Sequence, residues 1–249
     1  MPLQQTPGQA RVIDPVLSEI AQGYRNAAMA GMALFPAVPV MQRGGKIIAF
    51  SAEDFRLYST ARAPGATTKR VQFGYSSSSY ALEQHALEAV APWELQQEAA
   101  TVAKVQLAAV AVRKAQNIIA LRLEKAQADL ATTAGSYAAG NKTTLAGVNQ
   151  WSDYTGTSAP SKDIETAKEA IRAAIGIYPN TAVISASVFG KLRQHPAIVD
   201  RIKYTGRDVV TTDLLAALWG LEKVVVGGAV YSDASGVMTD VWGKFVVVA

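Results

Sequence analysis

Between Pro92 and about Ala131 the chain carries no further proline or glycine, and it is dominated by Ala, Leu, Gln, Glu and Lys. Those residue types lose little side-chain freedom in a helix, so the run predicts one long helix. About forty residues of helix extend ~60 Å at 1.5 Å per residue. A globule of 249 residues is only ~46 Å across by the usual size scaling. Either the helix bends or the molecule is elongated. Leu95, Val102, Ala109, Leu123 and Leu130 fall on one seven-residue register, with Val105, Val112, Ile119 and Ala126 on its companion, the pattern of a packed seam. Leu107, Val110, Ile118 and Leu121 add a second apolar face. A lone solvated coiled coil has no use for a second face, so the helix is expected to lie between a sheet and other elements.

Upstream, Val12 to Val40 reads as an arm. Asp14 and Pro15 open a short helix with Val16, Leu17, Ile20 and Tyr24 at helical spacing. Leu34 to Val40, punctuated by Pro36 and Pro39, is expected to be an extended apolar strap, because each proline removes a donor and disfavours helix in the residue before it. Gly44 and Gly45 then lead into a strand at Lys46 to Phe50, and Arg70 to Tyr75 alternates as a second strand. About twenty residues separate them, including Arg56, Arg62, Pro64, Gly65 and Lys69. Loops of that length are uncommon unless functional or disordered. The reading is a two-stranded excursion away from the body, with a loose surface loop as the alternative.

Gly135 to Ser161 is rich in Gly, Ser, Thr and Asn with Trp151 as its large anchor, as at a boundary between subdomains. Beyond it the pattern gives helices at Ile164 to Ile175, Val188 to Gln194 and Thr212 to Leu218, and strands at Ala182 to Ser185 and Lys223 to Val226. Val241 to Ala249 is a last apolar strand, to be explained either by trimming of the sequence or by pairing at a sheet edge.

Composition excludes several classes. The net charge is +4, with 49% hydrophobic and 18% charged residues, enough for a sizeable core. No apolar run reaches the eighteen or so residues of a membrane helix. Met1 to Ala10 is polar and carries Pro2 and Pro7, unlike a secretory signal. The absence of cysteine removes disulfides and thiolate metal sites. Arg11, Arg25 and Arg43 are dispersed among acids, which argues against sequence-specific DNA reading and leaves only weak, non-specific contact with nucleic acid.

Catalytic chemistry finds little support. His85 and His195 are the two histidines, and neither has metal-ligand spacing to the other. His195 with Asp200 is a candidate acid/base pair, set against a capping role near a helix C-terminus. Gly135, Gly140, Asn141, Lys142 and Thr143 imitate a phosphate-binding loop, but Asn141 displaces the lysine from the second glycine and the run follows a helix where a strand is needed. Asn141 to Thr143 also matches a glycosylation acceptor, taken as accidental without a secretory signal. No enzyme activity, cofactor or metal is expected.

The order of these segments carries a resemblance. Asp14 to Arg25, Leu34 to Val40, Lys46 to Phe50 and Arg62 to Gly65, then the long helix, then Pro179 to Thr181, Leu192 to Tyr204 and Thr211 to Val226 are together similar to major capsid proteins of tailed double-stranded DNA bacteriophages. The resemblance implies an α+β fold of the Hong Kong 97 type. It divides the chain into an N-terminal arm (1–41), an extended loop (42–80), a peripheral domain with a spine helix (81–161) and an axial domain (162–249). It departs at the end, since relatives usually continue past an apolar strand like Val241 to Ala249. The implied partners are further copies of the chain, in hexamers and pentamers of an icosahedral shell around DNA, with scaffold, portal or decoration proteins. The implied location is the virion, assembled in the bacterial host cytoplasm. Phe35, Pro36, Val38 and Val40 on the strap, and Arg56, Arg62, Lys69 and Arg70 on the excursion, become the expected subunit-interface residues. Some relatives cross-link this loop through a lysine, for which Lys46 and Lys69 are the candidates. Encapsulin-like compartments that hold cargo enzymes share the fold and stay open as an alternative, and a soluble α/β enzyme is a distant third.

Overall fold

A computed structural model describes residues 26–27, 29–49, 55–71, 74–98, 107–203 and 209–249. The expected helix over Asp14 to Arg25, Phe50 and Phe73 of the two expected strands, and residues 99–106 of the expected long helix lie outside the described residues. The chain forms two compact units, Ala37–His85 and the remainder.

The larger unit is built on a three-stranded sheet. Its centre is β3 (Thr181–Ser185), flanked by the parallel β4 (Lys223–Gly227) and the antiparallel β7 (Val246–Val248). Ala182 to Ser185 are fully buried, which explains the unbroken apolar run there, since a strand covered on both faces cannot alternate. The two faces serve two cores. Ala182 and Ile184 pack with Ile164, Leu192, Ile198, Leu215 and Trp219. Val183 packs on the other side with Ala128, Ala131 and Trp242.

Local signals set the helices over the first face. Pro160 begins α3 (Pro160–Ile175), which ends at Gly176 in the left-handed conformation. α4 (Ala186–Leu192) follows β3 directly, and α5 (Pro196–Ile202) starts at Pro196 with His195 as its N-cap. Thr211 caps α6 (Thr212–Trp219) by accepting from Leu214 N. Lys168 of α3 is buried and donates to Trp219 O at 2.7 Å, tying α3 to the end of α6. α5 and the hairpin of β5 (Val230–Ser232) with β6 (Met238–Asp240) were not anticipated from the sequence.

On the second face lies α2 (Leu107–Thr132), the described main part of the expected long helix, while α1 (Trp93–Glu98) is a short helix that touches α2. α2 meets the expectation of a helix laid against the sheet, but not with the expected stripe. Its buried positions are Ala115, Glu124, Ala128 and Ala131, while Val112, Leu123 and Leu130 of the seven-residue register are exposed. Small residues let the helix come close to Val183, Val225 and Val247, and close approach wins over large apolar area on that face.

The C-terminal strand pairs with β3 at the edge of this sheet, one of the two explanations the sequence leaves open. It is shorter than expected, because Val241 to Lys244 form turns and Trp242 turns inward, 1% exposed.

In the smaller unit β1 (Gly44–Ala49) pairs antiparallel with β2 (Ser76–Ala81). The second strand is therefore not Arg70 to Tyr75. The alternation of Val71 and Tyr75 invites a half-buried strand, yet both side chains are exposed. The pairing segment is instead serine-rich, with no apolar pattern to reveal it.

Candidate assembly surfaces

The Ala37–His85 unit is a ladder with a long open end. Beyond the β1/β2 ladder, the distal end closes at Ala63–Ala66, where Ala66 N donates to Ala63 O at 3.1 Å. Pro64 supplies the fixed φ of the turn's second position and Gly65, at φ 80°, the left-handed third. Two side-chain bonds tie the arms behind the tip: Arg62 Nη1 donates to Thr68 Oγ1 at 3.2 Å, and Lys69 Nζ to Ser59 O at 3.0 Å. Arg56 sits 5.5 Å from the ring centre of Tyr58. Arg70 is exposed, as are Arg56, Arg62 and Lys69. Among the described residues none of the four forms an ion pair within the chain. Ile47 and Ile48 point to opposite faces of the hairpin and both are more than half exposed. A two-stranded hairpin with no covered face is marginal on its own in water.

The strap divides. Phe35 is half-buried and packs with Leu34 against the second core. Pro36, Val38 and Val40 are exposed, and the stretch 36–40 has neither helix nor strand. The arm segment just before it is held by three anchors. Asn26 pairs its side-chain amide with Val230, accepting from Val230 N at 2.9 Å and donating to Val230 O at 2.8 Å. Ala30 N and Gly31 N donate to the Glu124 carboxylate at 2.8 and 2.9 Å. Trp242 Nε1 donates to the same carboxylate at 2.7 Å. Glu124 thus joins the arm, α2 and the C-terminal loop at one buried point. The sequence offers no signal for it, because its partners lie far along the chain.

The chemistry candidates resolve as structure. His195 is buried and its Nδ1 accepts from Ala197 N at 3.2 Å. The ring proton therefore sits on Nε2, which donates to Ser158 Oγ at 3.1 Å. That polarity is the reverse of a base taking a proton from serine. Tyr154 meets the ring edge-on at 5.7 Å, and burial holds the His195 pKa below its ordinary value. Asp200 pairs with Lys203 at 3.2 Å rather than with His195. The histidine is an N-cap of α5, not a residue complementing a helix C-terminus. Lys142 donates to Ala134 O at 2.9 Å, between short 3-10 turns and with no helix at Thr143, so the phosphate-loop imitation has neither the backbone nor a free lysine. His85 is exposed. No cluster of metal-ligating side chains occurs among the described residues, and none of their helices is long and apolar enough to cross a membrane.

What remains is a surface of exposed apolar side chains and of cations with no ion pair among the described residues. Comparison with known proteins gives the family of the chain. The family model for phage major capsid protein E matches residues 19–217. The chain belongs to the phage major capsid protein E family. It is 41% identical over 240 residues to the major capsid protein of Burkholderia phage BcepMu, covering 96% of this chain and 76% of that protein. The major capsid protein of Pseudomonas phage JBD67 is 32% identical over 220 residues, 87% of this chain and 69% of the relative. A crystal structure of a phage-related protein from Bordetella bronchiseptica RB50 superimposes with a TM-score of 0.69 at 44% identity, over 96% of this chain and 77% of that one. This capsid protein is accordingly a structural, non-enzymatic α+β component of a virion.

Proposed function

We propose that the chain is a self-assembling shell subunit with the Hong Kong 97 type fold, forming hexamers and pentamers of an icosahedral head that encloses double-stranded DNA. In this reading 1–41 is the arm, 42–80 the extended loop, 81–161 the peripheral domain with the spine helix, and 162–249 the axial domain. The supporting observation is the excursion, a hairpin with both faces exposed and four basic side chains that have no acidic partner among the described residues. Arg56, Arg62, Lys69 and Arg70 meet acidic side chains of an adjacent copy, and Pro36, Val38 and Val40 lie across another, with Phe35 anchoring the strap at its root. Each exposed ion pair contributes only ~0.2 to 1 kcal/mol, but a closed shell repeats every contact, so weak pairs sum. Assembly takes place in the host cytoplasm with scaffold, portal or decoration proteins as further partners, and packaged DNA touches the shell without sequence preference.

Deleting Ser59 to Lys69 tests this reading. The expected product is a folded subunit that no longer closes shells in negative-stain micrographs, whereas the intact chain forms shells, rings or tubes. Normal particles from the deletion variant would remove the excursion from the assembly mechanism.

A further inference from the structure

The exposed stripe of α2 has the spacing of a coiled-coil seam. Val112, Ile119, Leu123 and Leu130, with Gln116 and Ala126 between them, alternate by three and four residues. The four large side chains are 36% to 56% exposed, so the chain's own core leaves the seam open. Arg113 and Arg122 border the seam on its two sides, both exposed and without an acidic partner among the described residues. Lys125 and Asp129 neutralise each other nearby.

The same unit carries the complement. Over Leu87–Glu98 the apolar Leu87, Val90, Trp93 and Leu95 are all exposed, and the charges are Glu88, Glu94 and Glu98 with no lysine or arginine. The stretch runs without regular structure to Pro92 and then forms α1. An extended lead of six residues followed by the six-residue helix α1 spans roughly 27 Å, and Val112 to Leu130 on α2 spans about the same, ~27 Å at 1.5 Å per residue. α1 touches α2 within its own chain, yet the large apolar side chains of the stretch and those of the seam all stay exposed, so the stretch does not cover the seam of its own chain.

We propose that the acidic apolar stretch Leu87–Glu98 of one subunit docks on the basic-edged heptad seam of α2 in a second copy. This rests on the reading of the chain as a self-assembling subunit and names a contact separate from the excursion. The apolar side chains of the stretch fill the seam, and Glu88, Glu94 and Glu98 meet Arg113 and Arg122 across it.

The chain has no cysteine, so single cysteines report the contact cleanly. Variants with one cysteine on the stretch (Leu87→Cys, Val90→Cys or Leu95→Cys) are mixed pairwise before assembly with variants carrying one on the seam (Val112→Cys, Ile119→Cys or Leu123→Cys), then oxidised mildly. A disulfide between unlike variants can only join two copies, and it needs Cα atoms within about 7 Å. The expected result is at least one stretch-to-seam pair that cross-links far more than any stretch-to-stretch or seam-to-seam mixture. Arg113→Glu with Arg122→Glu weakens association about tenfold, and Glu88→Lys with Glu94→Lys in the partner restores it. Particles that assemble normally while no stretch-to-seam pair cross-links overturn this contact and leave the assembly reading standing. Failure of the unaltered chain to assemble overturns both.

Discussion

Replacing Glu124 probes the point where the arm, α2 and the C-terminal loop meet. The carboxylate is 1% exposed and accepts from Ala30 N, Gly31 N and Trp242 Nε1 at 2.8, 2.9 and 2.7 Å. Glu124→Ala leaves three N–H groups without their acceptor, each worth roughly 1 to 3 kcal/mol when buried and unpaired. Water entering the vacated volume recovers part of this, so the expected loss is about 4 kcal/mol, a large fraction of the ~5 to 15 kcal/mol that holds a domain folded. Glu124→Gln keeps one oxygen for Ala30 and Trp242 and turns an NH2 group toward Gly31 N–H. It should lose about 2 kcal/mol, one bond and its replacement by a donor facing a donor. Urea unfolding of the unassembled subunit, followed by far-UV circular dichroism, measures both. Trp242→Phe closes a double-mutant cycle and should return a coupling of ~1.5 to 3 kcal/mol for a hydrogen bond to a charged group. A loss under about 1 kcal/mol for Glu124→Ala, with no coupling to Trp242, would refute the idea that this carboxylate holds the arm to α2.

Two further outcomes follow from packing and from protonation. A methyl group at Gly227 would stand 2.3 Å from the Trp242 ring, which is buried and fixed by Glu124, so Gly227→Ala should destabilise by roughly 1 to 3 kcal/mol in the same unfolding assay. Burial holds the folded-state pKa of His195 below the value of 6.5 it takes when unfolded. Between those two values the unfolded chain binds more protons, so stability falls as pH drops from about 6.5 through the folded pKa. His195→Asn retains an acceptor for Ala197 N and cannot titrate, so the thermal midpoint of that variant should lose this slope between pH 7 and 5.

The sequence was most legible where one element carries its own instructions. The helices expected at Ile164 to Ile175 and Thr212 to Leu218 are present, the first opening earlier at Pro160 and the second capped by Thr211, and the run at Ala182 to Ser185 forms the expected strand, unbroken because both its faces are covered. It was least legible where the partner is remote or the pattern is absent. Ser76–Ala81 forms a strand through backbone pairing with Gly44–Ala49, and a strand with two exposed faces imprints no alternation on its side chains. Glu124 looks like any surface glutamate on a helix, since its three donors come from segments that only folding brings together. Asp233, whose carboxylate accepts from Ser235 N and Val237 N at 2.9 and 3.0 Å in the β5/β6 turn, belongs to a short turn motif that was there to be read.

The α2 seam shows why a correct periodicity gave an incorrect contact. A heptad of large apolar residues states that something must cover that face, and a single chain suggests its own core as the cover. In this chain the core takes the alanine side, because Ala128 and Ala131 let the helix sit close to the sheet at Val183 and Val247, and the larger stripe is left outside. Under the proposed docking the two faces answer different demands: the small-residue face fixes the fold of one copy, and the exposed seam is left for a second copy. Apolar exposure that would be an aggregation hazard on a solitary protein is therefore the part of the sequence pattern that speaks for assembly.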